Sequence, residues 1–205
     1  MGHREDLLEG AKRCLLEKGF LRTTARDIVR ESGTNLASIG YHYGSKDALL
    51  AQAYVSLIEA VGDTMAPGWG AGGEVTAPAG SLERFEAVWA NVIRSLPESR
   101  AIWLLSFELI FQGDRVPEVR RLLGEAQREG RSGLVAMFTG IPEADLDEES
   151  VETEGRFYQT LLNGLMVQWL FDPDSATGAD RLTEGLRRVI EAAGEAASGQ
   201  KPQES

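Results

Sequence analysis

Cysteine is almost absent: Cys14 is the only one in 205 residues, so no disulfide can close within a chain. Histidine is nearly as scarce, with two, at positions 3 and 42. Neither a metal cluster nor a nucleophile–base pair can be assembled readily from so few groups. No His-x-x-x-His, Cys-x-x-Cys, phosphate loop or Gly-x-Ser-x-Gly occurs, and the carboxylates are scattered through solvated runs. An enzyme is therefore not expected, nor a metal or cofactor. No apolar run reaches the ~18 residues that a membrane-spanning helix needs. The first residues lack an apolar signal region, and Asp6 stands where a myristoylation motif wants Ser or Thr. The expectation is a cytoplasmic protein. Cys14, beside Leu15 on an amphipathic stretch, reads as a small hydrophobe rather than a redox sensor.

Positive charge is also scarce, but unevenly so. The net charge is −11, which argues against a polyanionic partner. Residues 1–50 nevertheless sum to about +1, while residues 51–205 carry −12. Only the first part could approach phosphate without strong repulsion.

Period-two alternation is missing as well, and almost every segment has helical period. Leu7/Leu8, Ala11 and Leu15 recur along one face, and Gly19 stops that helix. Thr24 and Asp27 form a capping-box variant before Ile28 and Val29. Gly33 ends the second helix, Asn35 caps a third over about 36–43, Gly44 closes it, and Ser45 caps a longer fourth. Residues 67–80 are half Gly or Pro and read as a loop. Helices resume at about 81–96, with Ser81 as N-cap, then 98–113 and 117–139. An acidic loop at 142–149 precedes helices at about 150–171 and 177–197, with polar, frayed residues from Ser198 onward.

The informative segment is Thr24 to Lys46: two short capped helices joined by a glycine turn, which is a helix-turn-helix. A helix over 36–43 is too short to stand alone. Held by its neighbours, it can present its outer face to a major groove. Ala37 and Ser38 are small enough for close approach to base edges. Tyr41 and His42 can hydrogen-bond base or phosphate. Lys46 in the next helix's first turn favours phosphate. Thr24 offers an amide-plus-hydroxyl anion site, and Arg26 can reach phosphate or guanine. With Asn35, these are the expected DNA-contacting residues.

The run Thr24-Ala-Arg-Asp-Ile-Val-Arg-Glu-Ser-Gly33, followed by Ile39-Gly-Tyr-His-Tyr-Gly-Ser-Lys-Asp-Ala-Leu-Leu50, resembles the tetracycline-repressor (TetR) family over roughly residues 7–55. The run Leu161–Pro173 resembles that family's penultimate helix more weakly. Thr34 departs from the family's usual core Val, and Gly40 from its usual Tyr. Gly40 costs about 1 kcal/mol of helix propensity relative to Ala. The resemblance implies an all-α protein. A three-helix DNA-binding domain over 1–47, with its motif at about 24–43, would precede a helical ligand-binding and dimerisation domain over 48–198 and a disordered tail over 199–205. The abundance of Arg over Lys suits a GC-rich bacterial source.

The same resemblance implies a homodimer on double-stranded operator DNA, released by a small-molecule inducer. Ligand would move helix 46–66 and alter the spacing of two recognition helices that must sit about 34–36 Å apart. Candidate pocket residues are Trp89, Trp103, Phe107, Glu108, Phe111, Phe138 and Asn163, although aromatics at this spacing are more often core. Asn91, Gln159 and Gln168 are further polar residues that could face inward. Glu108, near an apolar stripe, needs a partner; an internal salt bridge to Arg156 or another arginine is favoured over a cationic ligand. Leu162, Met166, Trp169, Leu182, Leu186 and Val189 form two apolar stripes suited to an isologous interface. The alternative is that both stripes pack only on their own domain. A rival to the regulator reading is a helical interaction or ligand-sensing module that has lost DNA binding.

Overall fold

The computed structural model describes residues 2–65, 75–113 and 117–199, and among them the chain is helical with no strand. In order, the helices are α1 (His3–Lys18), α2 (Ala25–Ser32), α3 (Leu36–Tyr43), α4 (Lys46–Met65), α5 (Leu82–Ser95), α6 (Arg100–Gly113) and α7 (Pro117–Thr139). A 3-10 turn at Glu143–Asp145 leads to α8 (Glu148–Glu152), α9 (Glu154–Phe171) and α10 (Ala179–Gly199). No helix among the described residues is long and apolar enough to cross a membrane.

Two compact units divide the chain: residues 1–66 with 97–133, and residues 67–96 with 134–205. In the first, α1 packs on α2, α3, α4 and α6, and α4 packs on α3 and α6. Its core joins Leu7, Leu15, Phe20, Ile28, Leu49 and Leu50 to Leu105 and Leu109 of α6. The approach of α1 to α2 is close because position 10 has no side chain: a Cβ on Gly10 would lie 2.8 Å from Ser32 Cβ. In the second unit, α5 packs on α10 around Phe85, Trp89, Val92, Leu134, Phe138 and Leu165. Phe138 stacks on Tyr158 with ring centroids 4.0 Å apart. The Arg84 guanidinium ties this unit locally, donating to the carbonyls of Met137 (2.9 Å), Val75 (3.2 Å) and Ala77 (3.3 Å).

Helix starts follow their caps. Asn35 accepts from Ser38 N at 3.1 Å and fixes α3 over the residues expected. Ser45 accepts from Ala48 N and Ser81 from Arg84 N. The helix expected from about 150 differs. Asp147, placed in the acidic loop by the sequence reading, is an N-cap that accepts from Ser150 N at 2.7 Å, so helix begins at Glu148. It then breaks at Thr153, whose hydroxyl donates back to Glu149 O at 2.7 Å. Such local back-bonding competes with the regular ladder. At the chain's end α10 runs to Gly199, where fraying from Ser198 and a disordered tail over 199–205 are expected; residues 200–205 lie outside the described residues.

Candidate nucleic-acid interface

Three elements position the candidate DNA-reading surface. Helix α3 has eight residues, short enough that packing must hold it. Ile39 and Tyr43 are buried in the common core, and the Tyr43 hydroxyl donates to Arg4 O at 2.7 Å, pinning the end of α3 to the start of α1. Burial pushes the Tyr43 phenol above its ordinary value, so it stays a donor. With that face inward, Leu36, Ala37, Gly40 and Tyr41 point to solvent. Tyr41 is 86% exposed, and its ring meets His42 edge-on at 4.8 Å.

Ser38 corrects the expected reading face. It is 9% exposed and sits on the packed side with Ile39, so it is not presented with Ala37 and Tyr41. Leu36 (52% exposed) and Gly40 complete that face instead. Helical spacing from Ala37 leads to Gly40, and from Gly40 back to Leu36. Asn35 is exposed, but its carboxamide oxygen is engaged as the α3 cap.

The anion site expected at Thr24 already holds an internal anion. Asp27 Oδ2 accepts from Thr24 N at 3.0 Å and Thr24 Oγ1 at 2.7 Å, while Asp27 N donates to Thr24 Oγ1. Lys18 Nζ and Arg30 also reach the same carboxylate. The hydrogen bond from Lys18, then those from Thr24, hold the Asp27 carboxyl well below the usual carboxylate range. Arg26, beside this site, is exposed. Lys46 is half-buried: its ammonium donates to Thr23 O at 3.3 Å, pairs with Asp47 at 2.9 Å and lies 5.5 Å from the Phe20 ring centroid. It therefore joins the first turn of α4 to the turn before α2.

This surface belongs to a segment, residues 7–53, that matches the family model for bacterial regulatory proteins of the tetR family. Residues 81–195 match the model for the C-terminal part of BetI-type transcriptional repressors. The chain belongs to the tetR family. The HTH-type transcriptional regulator BetI of Agrobacterium fabrum is 31% identical over 165 residues, 80% of this chain and 75% of that protein. The HTH-type transcriptional repressor AcnR of Corynebacterium efficiens is 28% identical over 196 residues, 92% of this chain and 88% of that protein. The fold is shared with the multidrug binding protein EbrR, crystallised in complex with imidazole, at a TM-score of 0.62 and 20% identity over 90% of this chain and 88% of that one. This tetR-family chain is thus a transcriptional regulator, a class that is not enzymatic.

The candidate pocket residues of this tetR-family member fall in both units. Trp103, Phe107 and Glu108 lie in the first, and Trp89, Phe138 and Asn163 in the second. Trp89 and Phe138 are buried with ring centroids 5.2 Å apart, as core residues are. Asn163 and Gln168 are exposed, and Gln168 Oε1 accepts from Thr177. The Phe111 side chain lies outside the described residues. Glu108 departs from the favoured expectation of a salt bridge: among the described residues no arginine pairs with it. Its oxygens accept from the backbone N–H of Phe20 (2.9 Å) and Leu21 (2.8 Å), and Arg156 pairs with Glu152. Composition gave no sign of this, because the partners are main chain. An open groove of about 300 Å³ beside α5, lined by Ala87, Ala90, Asn91 and Arg94 among others, takes in Asn91, expected to face inward, but none of the seven pocket candidates.

Of the expected interface residues, Met166 is buried, and Leu162, Leu182 and Leu186 pack against the core of their own unit. Trp169 is half-buried, while Val189 is 67% exposed. Apolar surface absent from the expected set also stands out on these helices: Ile190 (56%), Phe171 (87%) and Phe157 (45%).

Proposed function

We propose that this regulator is a cytoplasmic repressor that binds a palindromic operator as a homodimer and is released by a small-molecule inducer. The observation that carries the operator reading is α3 itself: a short, capped helix clamped from behind, with Ala37, Gly40 and Tyr41 turned outward. Tyr41 supplies the reach on that face, Arg26 and Lys46 supply cations beside it, and Thr24 lies at the adjacent helix start. The acidic remainder favours binding through this end alone. Exposed Val189 and Ile190 on α10, with Phe171 at the end of α9, provide the apolar surface for a second copy. Repression and ligand response rest on the kinship to BetI-type and AcnR repressors and on EbrR's complex with imidazole.

Footprinting on the DNA that flanks the chain's own coding region tests the reading, with Tyr41→Ala as the discriminating variant. At 86% exposure, the truncation leaves the melting temperature unchanged. The specific affinity falls by roughly 1–3 kcal/mol, as expected for a lost base contact. A protected sequence bound equally by Tyr41→Ala would move the reading face toward Leu36 and Ala37.

A further inference from the structure

We propose that Glu108 is a positioning residue through which α6 controls the helix-turn-helix. Its carboxylate, closed on the Phe20 and Leu21 amides, holds the operator-binding conformation, and displacement of α6 opens it. The inference rests on the operator reading above and adds to it a specific regulatory contact.

Helix α6 lies within the residues that match the C-terminal family model, yet it shares a compact unit with α1 and α4. Where it meets the turn after α1, Glu108 accepts two successive backbone N–H groups, one on each oxygen, at 2.9 and 2.8 Å. The turn is shaped for this. Gly19 has φ +78°, a left-handed value that favours glycine, and a Cβ there would stand 2.7 Å from Glu108 Oε2.

What the clamp holds then leads straight to the DNA-facing residues. Gly19 O accepts from the Thr23 hydroxyl at 2.7 Å, Thr23 O accepts from Lys46 Nζ, and Thr24 caps α2. Phe20, whose amide is clamped, also lies beneath the Lys46 ammonium. Helix α6 holds α4 by a second tie, the Tyr54 hydroxyl donating to Ser106 Oγ at 2.6 Å. One helix therefore grips both the entry to α2 and the body of α4. Glu108 is only half-buried, and Leu21 is 62% exposed. Opened, the carboxylate and the Leu21 amide can be hydrated, so release strands no buried unpaired charge.

Linkage makes the latch testable without an inducer: if the closed form binds operator, operator must close it. The full-length chain first selects a preferred duplex from a random library. Amide hydrogen exchange at Phe20 and Leu21 is then measured free, with the selected duplex and with a scrambled one. The selected duplex slows both amides roughly tenfold more than the scrambled one, a typical allosteric coupling. In Glu108→Ala both amides exchange fast whichever duplex is present. Its affinity for the selected duplex drops by a similar roughly tenfold factor, while binding to the scrambled duplex is unchanged. The near-isosteric Glu108→Gln repeats the test if the alanine variant fails to fold, and the wild-type arm needs no variant. Equal protection by the two duplexes, or wild-type affinity in a folded Glu108 variant, overturns the latch alone. A library that yields no preferred duplex overturns the operator reading and the latch with it.

Discussion

Helices α1–α4 and helices α9–α10 handle apolar surface in opposite ways. In the first group each large apolar face finds a partner within the chain: Leu7, Leu15, Ile28, Leu49 and Leu50 are fully or almost fully buried. The exposed exceptions are Leu16 on α1, Leu21 in the turn after it, and Leu36 and Tyr41 on the outward face of α3. In the second group Val189, Ile190 and Phe171 remain open to solvent on long helices. A single chain thus finishes its reading head and leaves its other end unfinished. That division of labour suits the homodimer proposed above, in which the pairing of copies would set half-site spacing.

Breaking the unfinished end should have the largest effect. Val189→Glu with Ile190→Glu places two charges on surface that is more than half exposed in the single chain, so the helices should survive. Sedimentation should show monomers with unchanged helix content. Operator affinity should fall by roughly a hundredfold or more as the linkage of two half-sites is lost. A double variant that still sediments as a dimer would place the interface elsewhere.

Disturbing the finished end should cost less. Thr24→Ala removes the α2 cap, a loss of about 1 kcal/mol by thermal melting. It also changes how stability responds to acid. The Asp27 carboxyl is held below its ordinary value, so its contribution is present above the usual carboxylate range and is lost as pH falls through and below that range. The Thr24 hydroxyl is one of the hydrogen bonds responsible. The variant's acid-induced loss should therefore be shallower than the wild type's, and parallel curves would assign the depression to Lys18 and the Thr24 backbone N–H.

The smallest effect is a gain. Gly40 lies inside α3 without a positive φ, and a Cβ there would meet nothing within 4 Å. Gly40→Ala should stabilise the chain by up to about 1 kcal/mol. A lower melting temperature would show that α3 needs its looseness for folding.

The sequence was most informative where structure is local. Thr24, Asn35, Ser45 and Ser81 announce helix starts because a cap acts over three residues, and the bounds of α3 followed from Asn35 and Gly44. Asp147 is equally local but was hidden among acidic neighbours that make the segment look like a solvated loop. Ser38 and Met166 were misplaced for another reason: whether a residue on the edge of a helix stripe is buried depends on the neighbouring helix, not on its own spacing. Glu108 was recognised as needing a partner, but backbone amides 88 and 87 positions away in sequence carry no residue signature. The aromatic candidates show the same limit, since Trp89 and Phe138 pack as core, and periodicity does not separate core from pocket.

The close approach of α1 to α2 carries a consequence for inheritance. Position 10 has no room for a methyl group because Ser32 Cβ would stand 2.8 Å from it. A smaller residue at position 32 would not make room, because the backbone N and Cα of Ser32 would still stand 3.0 and 3.2 Å from that Cβ; a larger residue at position 10 requires the helices to part. Parting them would shift Thr24 and Arg26, which ride on α2, relative to α1. Selection on the placing of α2 thus reaches a buried glycine, and descendants of this chain should keep glycine at position 10 whatever residue stands at 32.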